Sequence, residues 1–311
     1  MTESVARLAS GVDIAFETFG DPGDEPLLLI MGLGGPMTWW HPELCRRLAD
    51  RALFVIRFDN RDVGRSSRVP GAHRMSLRVL LRAYLGDRRY AAYTLDDMAA
   101  DAFGLLDHLD VSAAHVAGVS MGGMIAQTMA ITRPERVRSL VSIMATTGSR
   151  RVGWQDPRLL PLLMSPVART RQAYVERALR NWPVIASGQY PPSPADISAR
   201  AEETWERGYD PLGGARQTLA VLAQPDRSAR LSQLRMPVAV VHGLADKLVH
   251  PSGGRPTARA IPGSELVLVP GMGHDLPRPL FGLIADVVRR TADRAAGQST
   301  SDSSAASSSS R

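Results

Sequence analysis

Cysteine and lysine are almost missing from this 311-residue sequence, which contains only Cys45 and Lys247 of these two types. A single cysteine excludes an intramolecular disulfide, and its neighbours Leu44 and Leu48 favour a small core residue on a helix. Arginine therefore supplies nearly all of the positive charge behind the net charge of +6. Because the arginines are spread along the chain without a basic run, nucleic-acid binding is not expected.

Long hydrophobic runs are also absent, since no stretch of about 18 apolar residues occurs, and no integral membrane segment is expected. The first eleven residues carry Glu3 and Arg7 and lack the apolar centre of a secretory signal peptide. We therefore expect a cytoplasmic protein. An apolar content of 44% is typical of a globular chain, and the oligomeric state is left open.

Short apolar runs are present in the first half of the chain and again near its end. The alternating segment 12–19 predicts an antiparallel edge strand. Continuous runs predict strands that are buried on both faces of a parallel sheet; they cover 27–31, 53–58, 115–119, 140–144, 238–242 and 266–269. Helical patterns separate them, including one after the N-cap Thr94 and one over 121–132. The alternation predicts a mostly parallel α/β sheet with right-handed crossovers.

This alternation stops within 148–234, a segment that is rich in proline, tryptophan and leucine. Its patterns are helical, so we predict a helical lid inserted between two parts of one core domain, 1–147 and 235–296. The terminal segment 297–311 is mostly serine and alanine without periodicity, and it is expected to be disordered because it can bury little apolar surface.

A G-x-S-x-G pattern surrounds Ser120, with glycines at positions 118 and 122. The pattern is short, but it lies where a predicted buried strand ends and a predicted helix begins. A serine on such a sharp turn has a strained backbone, and side chains at the two glycine positions would collide with the neighbouring strand and helix. The turn also directs the backbone N–H of Met121 toward the hydroxyl. We therefore predict Ser120 as a nucleophile and Met121 as an oxyanion donor.

A serine nucleophile needs a general base, usually a histidine. The histidines that follow Ser120 are His242, His250 and His274. His274 lies in a glycine-rich loop directly after the last predicted strand, from which it can reach the sheet edge. We therefore predict His274 as the base and interpret His242 and His250 as structural.

The base in turn needs an orienting carboxylate. Asp246 lies in the loop after the preceding predicted strand, 28 residues before His274, so the two loops should be neighbours. Asp275 is the rival, but its adjacency to His274 makes a hydrogen bond to that imidazole awkward. Asp246 is the predicted acid.

The segment 31–35 follows the first buried run and contains three glycines. Because glycines let the backbone approach the nucleophile, the N–H of Leu33, or less favourably that of Gly32, is the second predicted oxyanion donor. An ordinary tight turn would also explain the three glycines. Gly32 and the lid residue Trp182 are predicted to contact substrate, and the apolar lid favours a hydrophobic group there, although a lid core has the same composition.

Taken together, these motifs resemble those of the α/β-hydrolase superfamily over about residues 11–295. The turn 59–66 is similar to the family's D-x-R-G-x-G-x-S turn, and the segments at Asp246 and His274 are similar to its acid and base motifs. The chain looks most like the bacterial carboxylesterase branch that includes aclacinomycin methylesterase. Asp62 replaces a common glycine, and Met31 a common histidine, which weakens inferences about substrate.

The resemblance implies a doubly wound, eight-stranded α/β-hydrolase sheet with an inserted helical lid. It also implies a serine hydrolase that cleaves carboxylic esters, lipid esters or thioesters through an acyl-enzyme on Ser120, with no cofactor or metal. The expected partner is a small-molecule ester with an apolar group. The same residues would serve a C–C bond hydrolase or a cofactor-free perhydrolase, and a non-catalytic ligand-binding protein is a further hypothesis.

Overall fold

The computed structural model describes residues 3–71, 76–163 and 165–308. Its strands are β1 (Ser4–Arg7), β2 (Asp13–Phe19), β3 (Glu25–Ile30), β4 (Leu53–Phe58), β5 (Ala114–Val119), β6 (Val137–Ile143), β7 (Val238–Gly243) and β8 (Glu265–Val269). Its α-helices are α1 (Pro42–Ala49), α2 (Leu77–Tyr84), α3 (Leu95–His108), α4 (Met121–Thr132), α5 (Leu160–Leu163), α6 (Arg171–Ile185), α7 (Pro194–Glu206), α8 (Pro211–Leu222), α9 (Ser228–Leu231), α10 (Gly254–Ala260) and α11 (Phe281–Ser308).

The strands form one sheet in the order β1-β2-β4-β3-β5-β6-β7-β8. The pairs β1–β2 and β2–β4 are antiparallel and the remaining pairs are parallel, which confirms the predicted mostly parallel α/β fold. The prediction of an edge strand over 12–19 is wrong, because β1 pairs with the outer side of β2. Only one of the four residues of β1 is buried, so this strand has little apolar pattern to reveal it.

Two hydrophobic layers cover the two faces of the sheet. In β3, Leu28 and Ile30 belong to the layer that contains α3 and α4, whereas Leu27 and Leu29 belong to the layer that contains α1 and α11. Successive side chains of a strand point to opposite faces, so a run of apolar residues is what a sheet covered on both sides requires. The sheet is therefore doubly wound.

Cys45 lies in the second layer, on α1, and is fully buried. Its Sγ donates a weak hydrogen bond to the carbonyl of Trp40 at 3.6 Å. Burial raises the pKa of this thiol to about 12, so it stays protonated at neutral pH. The residue is thus a small core side chain on a helix, as its neighbours in the sequence predict.

Helices α5 to α9 lie between β6 and β7, and within the described residues of 148–234 there is no strand. Two buried arginines join this helical segment to the turn 59–66 of the core. Arg207, just after α7, pairs with Asp59 at 2.8 Å, and Arg216 of α8 makes two bonds of 2.8 Å to Asp62. Although burial alone would raise the pKa of Asp62, its hydrogen bonds with Arg216 and other donors hold that pKa below its usual range.

The last helix, α11, begins at Phe281 and packs on the sheet before it continues to Ser308. Residues 297–308 are thus helical where the sequence predicts disorder, and 309–311 lie outside the described residues. A helix that is already nucleated by its packed part extends at little cost per residue, which a composition argument does not capture. No helix in the described part of the chain has the length and apolar character to cross a membrane.

Candidate active site

Ser120 lies on the turn between β5 and α4, with φ 56° and ψ −120°, a backbone conformation that L-residues rarely adopt. A Cβ on Gly118 would lie 2.2 Å from the carbonyl oxygen of Gly122, at the start of α4. A Cβ on Gly122 would lie 2.1 Å from the carbonyl oxygen of Ile30, at the end of β3. Both glycines are therefore required by close approach of the backbone, for the steric reason that the sequence pattern suggests.

The structure brings Ser120, His274 and Asp246 into one hydrogen-bonded row. The Nδ1 atom of His274 lies 2.7 Å from Oδ2 of Asp246, and its Nε2 atom lies 3.0 Å from Oγ of Ser120. Because an ionised carboxylate only accepts hydrogen bonds, Nδ1 carries the proton and Nε2 is free to accept the serine proton. The three predicted residues are thus in contact, while their catalytic roles stay predictions.

Backbone groups hold both partners of the row in place. The other carboxylate oxygen of Asp246 accepts the N–H groups of Leu248 and Val249 at 2.9 and 2.8 Å. The N–H of His274 donates to the carbonyl of Ile185, at the end of α6, at 2.8 Å. Asp246 and His274 are 3% and 9% exposed, so their mutual hydrogen bond is shielded from water.

The rival residues make hydrogen bonds with other groups, while Nε2 of His242 also lies 3.6 Å from Oδ2 of Asp246. The Asp275 carboxylate accepts hydrogen bonds from the N–H and the hydroxyl of Ser187, in the segment that follows α6. His242 is fully buried, and its Nε2 lies 2.8 Å from the carbonyl of Val249. His250 stacks on Trp154 with ring centroids 4.0 Å apart. These contacts agree with structural roles for both histidines.

Two backbone N–H groups lie near Ser120 in the chain or in the fold, those of Met121, the next residue, and of Leu33, next to Gly32. Within the described residues, neither the N–H of Leu33 nor that of Met121 donates a hydrogen bond inside the protein. Gly32 lies against the serine, because a Cβ placed on it would come within 3.2 Å of the Ser120 Cβ. Unpaired N–H groups beside a nucleophile are what an oxyanion pocket requires, and the roles of Leu33 and Met121 as donors stay predictions.

A lid side chain that the sequence argument misses, Gln217 of α8, contacts the loop of Leu33. The N–H of Gly34 donates to Oε1 of Gln217 at 2.8 Å, and the Gln217 amide donates to the carbonyl of Arg61 at 2.9 Å. Gln217 is fully buried and therefore bridges the two loops of the core. No motif marks this residue, because its partners are remote in sequence.

A cavity of about 430 Å³ lies between the lid and these loops. Its wall includes Leu33, Trp39 and Trp182, with Ile185 next to the backbone of His274. The two tryptophan rings are edge to face, with centroids 5.4 Å apart. The structure thus puts Trp182, a predicted substrate contact, on the wall of a cavity large enough for a small organic ligand.

A family model described as the alpha/beta hydrolase fold matches residues 25–277, and the chain belongs to that family. Rhodomycin D methylesterase DnrP of Streptomyces peucetius is 32% identical over 286 residues, which cover 84% of this chain and 88% of that protein. The predicted resemblance to the esterase branch is thereby confirmed.

Solved structures of two further hydrolases share the fold. The enol-lactonase from Burkholderia xenovorans LB400 superposes with a TM-score of 0.71 at 20% identity and covers 93% of this chain and 99% of that one. A thermophilic esterase from Thermogutta terrifontis superposes with a TM-score of 0.67 at 23% identity and covers 94% and 99%. At these identities the two structures show the fold alone.

Proposed function

We propose that this protein hydrolyses carboxylic esters through an acyl-enzyme on Ser120. The observation that carries the proposal is the row of hydrogen bonds from Ser120 through His274 to Asp246. His274 would take the proton of the Ser120 hydroxyl while the oxygen attacks the ester carbonyl. Asp246 would stabilise the imidazolium that forms, without itself becoming protonated.

The tetrahedral intermediate would place its negative oxygen between the N–H groups of Leu33 and Met121. His274 would then return the proton to the departing alcohol, which leaves the acyl group bound to Ser120. A water molecule, deprotonated by His274, would attack this acyl-enzyme and release the acid. An ester is favoured as the bond cleaved because the relative at 32% identity is a methylesterase, so methyl esters are the first substrates to test.

Activity-based labelling tests the proposal most directly. A fluorophosphonate probe is expected to label the wild-type protein at Ser120 and to leave Ser120→Ala unlabelled. Hydrolysis of p-nitrophenyl esters should fall by about four orders of magnitude or more in the same variant, because the covalent route is removed. Ser232→Ala, which changes an exposed serine, is the matched control and should behave as wild type. Equal hydrolysis by wild type and Ser120→Ala would remove Ser120 from the mechanism.

A further inference from the structure

The cavity under the lid contains two arginines that have no carboxylate partner among the described residues, Arg177 and Arg200. Its wall also includes two acids, Asp62 and Asp210. Both of these carboxylates pair with Arg216, at 2.8 and 3.2 Å. Asp210 also pairs with Arg68, at 3.7 Å, so Arg216 and Arg68 together balance the two acids, and the charge that remains uncompensated in the cavity is positive.

Arg200 of α7 is held by stacking. Its guanidinium carbon lies 3.6 Å from the ring centroid of Trp182 and 5.2 Å from that of Trp39. A guanidinium stacks through its face, whereas its five N–H donors lie around its edge. In the described part of the chain the Arg200 side chain makes no hydrogen bond and no ion pair. The tryptophans therefore orient the group and leave its donors free for a ligand.

The surroundings of Arg200 leave its charge only partly balanced. Burial lowers the pKa of Arg200 to about 10, so that the group is still protonated at neutral pH. The carboxylates that act on it through space are those of Asp275, which has the larger effect, and Asp196, and the Asp275 carboxylate accepts hydrogen bonds from Ser187. A partly buried cation without a hydrogen-bonded anion is unfavourable, so a ligand that supplies one gains affinity.

Arg177 of α6 adds positive potential to the same cavity, but two of its donors are already engaged. Its guanidinium donates to the hydroxyl of Tyr209 at 3.1 Å and to the carbonyl of Pro166 at 3.3 Å. Neither partner is charged, so the positive charge of Arg177 persists. The free edge of Arg200 is thus the place where an anion would bind, and Arg177 would strengthen its attraction.

We propose, on the basis of the proposed ester hydrolysis, that the preferred substrates are esters that carry a second, free carboxylate, which the edge of Arg200 binds. A carboxylate matches the planar fork of a guanidinium through two parallel hydrogen bonds. The apolar wall around Trp39 and Trp182 suits the hydrocarbon between the two groups. Monoesters of dicarboxylic acids are the substrate class that combines these features.

The test compares the monomethyl and dimethyl esters of adipic, suberic and sebacic acid, which differ in one charge on the same skeleton. For the best chain length, wild-type kcat/KM is expected to favour the monoester by about tenfold or more, as for a charge-assisted hydrogen bond. Arg200→Met, which keeps an unbranched apolar stem, should abolish the preference mainly by raising KM for the monoester. Arg200→Lys should restore part of it.

Arg180→Met is the matched control, since Arg180 is an exposed arginine of the lid outside the cavity. The preference of Arg180→Met for the monomethyl over the dimethyl esters should stay close to that of the wild type, because an exposed charge is screened by salt. Equal or better hydrolysis of the dimethyl esters, or a preference that survives in Arg200→Met, would overturn the carboxylate proposal and leave the ester hydrolysis intact. A wild type that neither reacts with the fluorophosphonate nor hydrolyses p-nitrophenyl esters would refute the proposed function itself. A wild type that is labelled but cleaves none of the six methyl esters would overturn only the carboxylate proposal.

Discussion

The two sides of the candidate site are fixed in different ways. On the sheet side, Ser120, Asp246 and His274 follow the ends of strands and are held by hydrogen bonds to one another and to the backbone next to Asp246. On the lid side, long arginine side chains of α8 and its neighbourhood cross to the core and pair with Asp59 and Asp62. The strand ends thus place the reactive side chains, and lid residues add contacts to His274 and to the loop of Leu33, whereas the cavity residues of the lid can vary as long as its anchors remain.

The largest effect should come from the sheet side. Asp246→Asn keeps the shape of the side chain but removes the negative charge that stabilises the protonated His274. We expect kcat to fall by about 10³- to 10⁴-fold, as for the acid of a serine hydrolase triad. Steady-state hydrolysis of a methyl or p-nitrophenyl ester measures the loss.

Asp275→Asn is the matched control for that experiment, because Asp275 is the buried acid that directly follows His274 in the sequence. Since Asp275 binds Ser187 rather than the imidazole, its loss should reduce kcat by less than about tenfold. A larger loss in Asp275→Asn than in Asp246→Asn would show that the orienting acid is misassigned.

The second-largest effect should come from the ion pairs that anchor the lid to the core. Asp62→Asn keeps a side chain that tolerates the positive φ of 70° but leaves Arg216 buried without its main ion pair. The free energy of unfolding should fall by about 3 kcal/mol, because an uncompensated charge stays in a buried place. Urea unfolding followed by circular dichroism gives this value.

Asp13→Asn offers a comparison in which the ion pair is exposed, since Arg7 and Asp13 lie 3.3 Å apart with 86% and 40% of their side chains accessible. Its loss should stay below about 1 kcal/mol. Similar destabilisation by both substitutions would contradict the idea that buried pairs attach the lid.

The smallest expected effect concerns the contact between the two sides. Gln217→Leu removes the acceptor for the N–H of Gly34 and so loosens the loop that carries the Leu33 donor. We expect kcat to fall by about tenfold with little change in KM, the cost of an unsatisfied buried hydrogen bond. Gln172→Leu, on the exposed surface of α6, should leave kcat unchanged. A change confined to KM would point to substrate binding rather than to positioning of the oxyanion donor.

The predictable part of the fold is the part whose residues repeat a pattern. Runs of apolar residues locate the strands buried on both faces, and for β4 both ends agree with the structure. Strand β1 is not predicted from the sequence because it is short and mostly exposed. Helix α11 extends farther than its serine-rich end suggests. In both places local composition is overruled by pairing or by helix propagation.

The predictable part of the site is the part that follows strands. Ser120, Asp246 and His274 are identified from loop position and spacing, because the ends of parallel strands meet at one sheet edge. Gln217 and Arg200 come from lid helices without motifs, and their partners lie far away in sequence. The placement of such side chains depends on how the lid packs on the core, which no periodicity in one segment encodes.

Cys45 gives this molecule a built-in probe. As the only thiol, sealed between α1 and the sheet, it should be inert to a disulfide reagent such as Ellman's until that layer opens. The rate at which Cys45 is modified therefore reports the rate at which α1 separates from the sheet, without any engineered label. Because the thiol lies in the core layer of α1 and α11 and not in the lid, the same measurement would distinguish opening of that core layer from detachment of the lid alone.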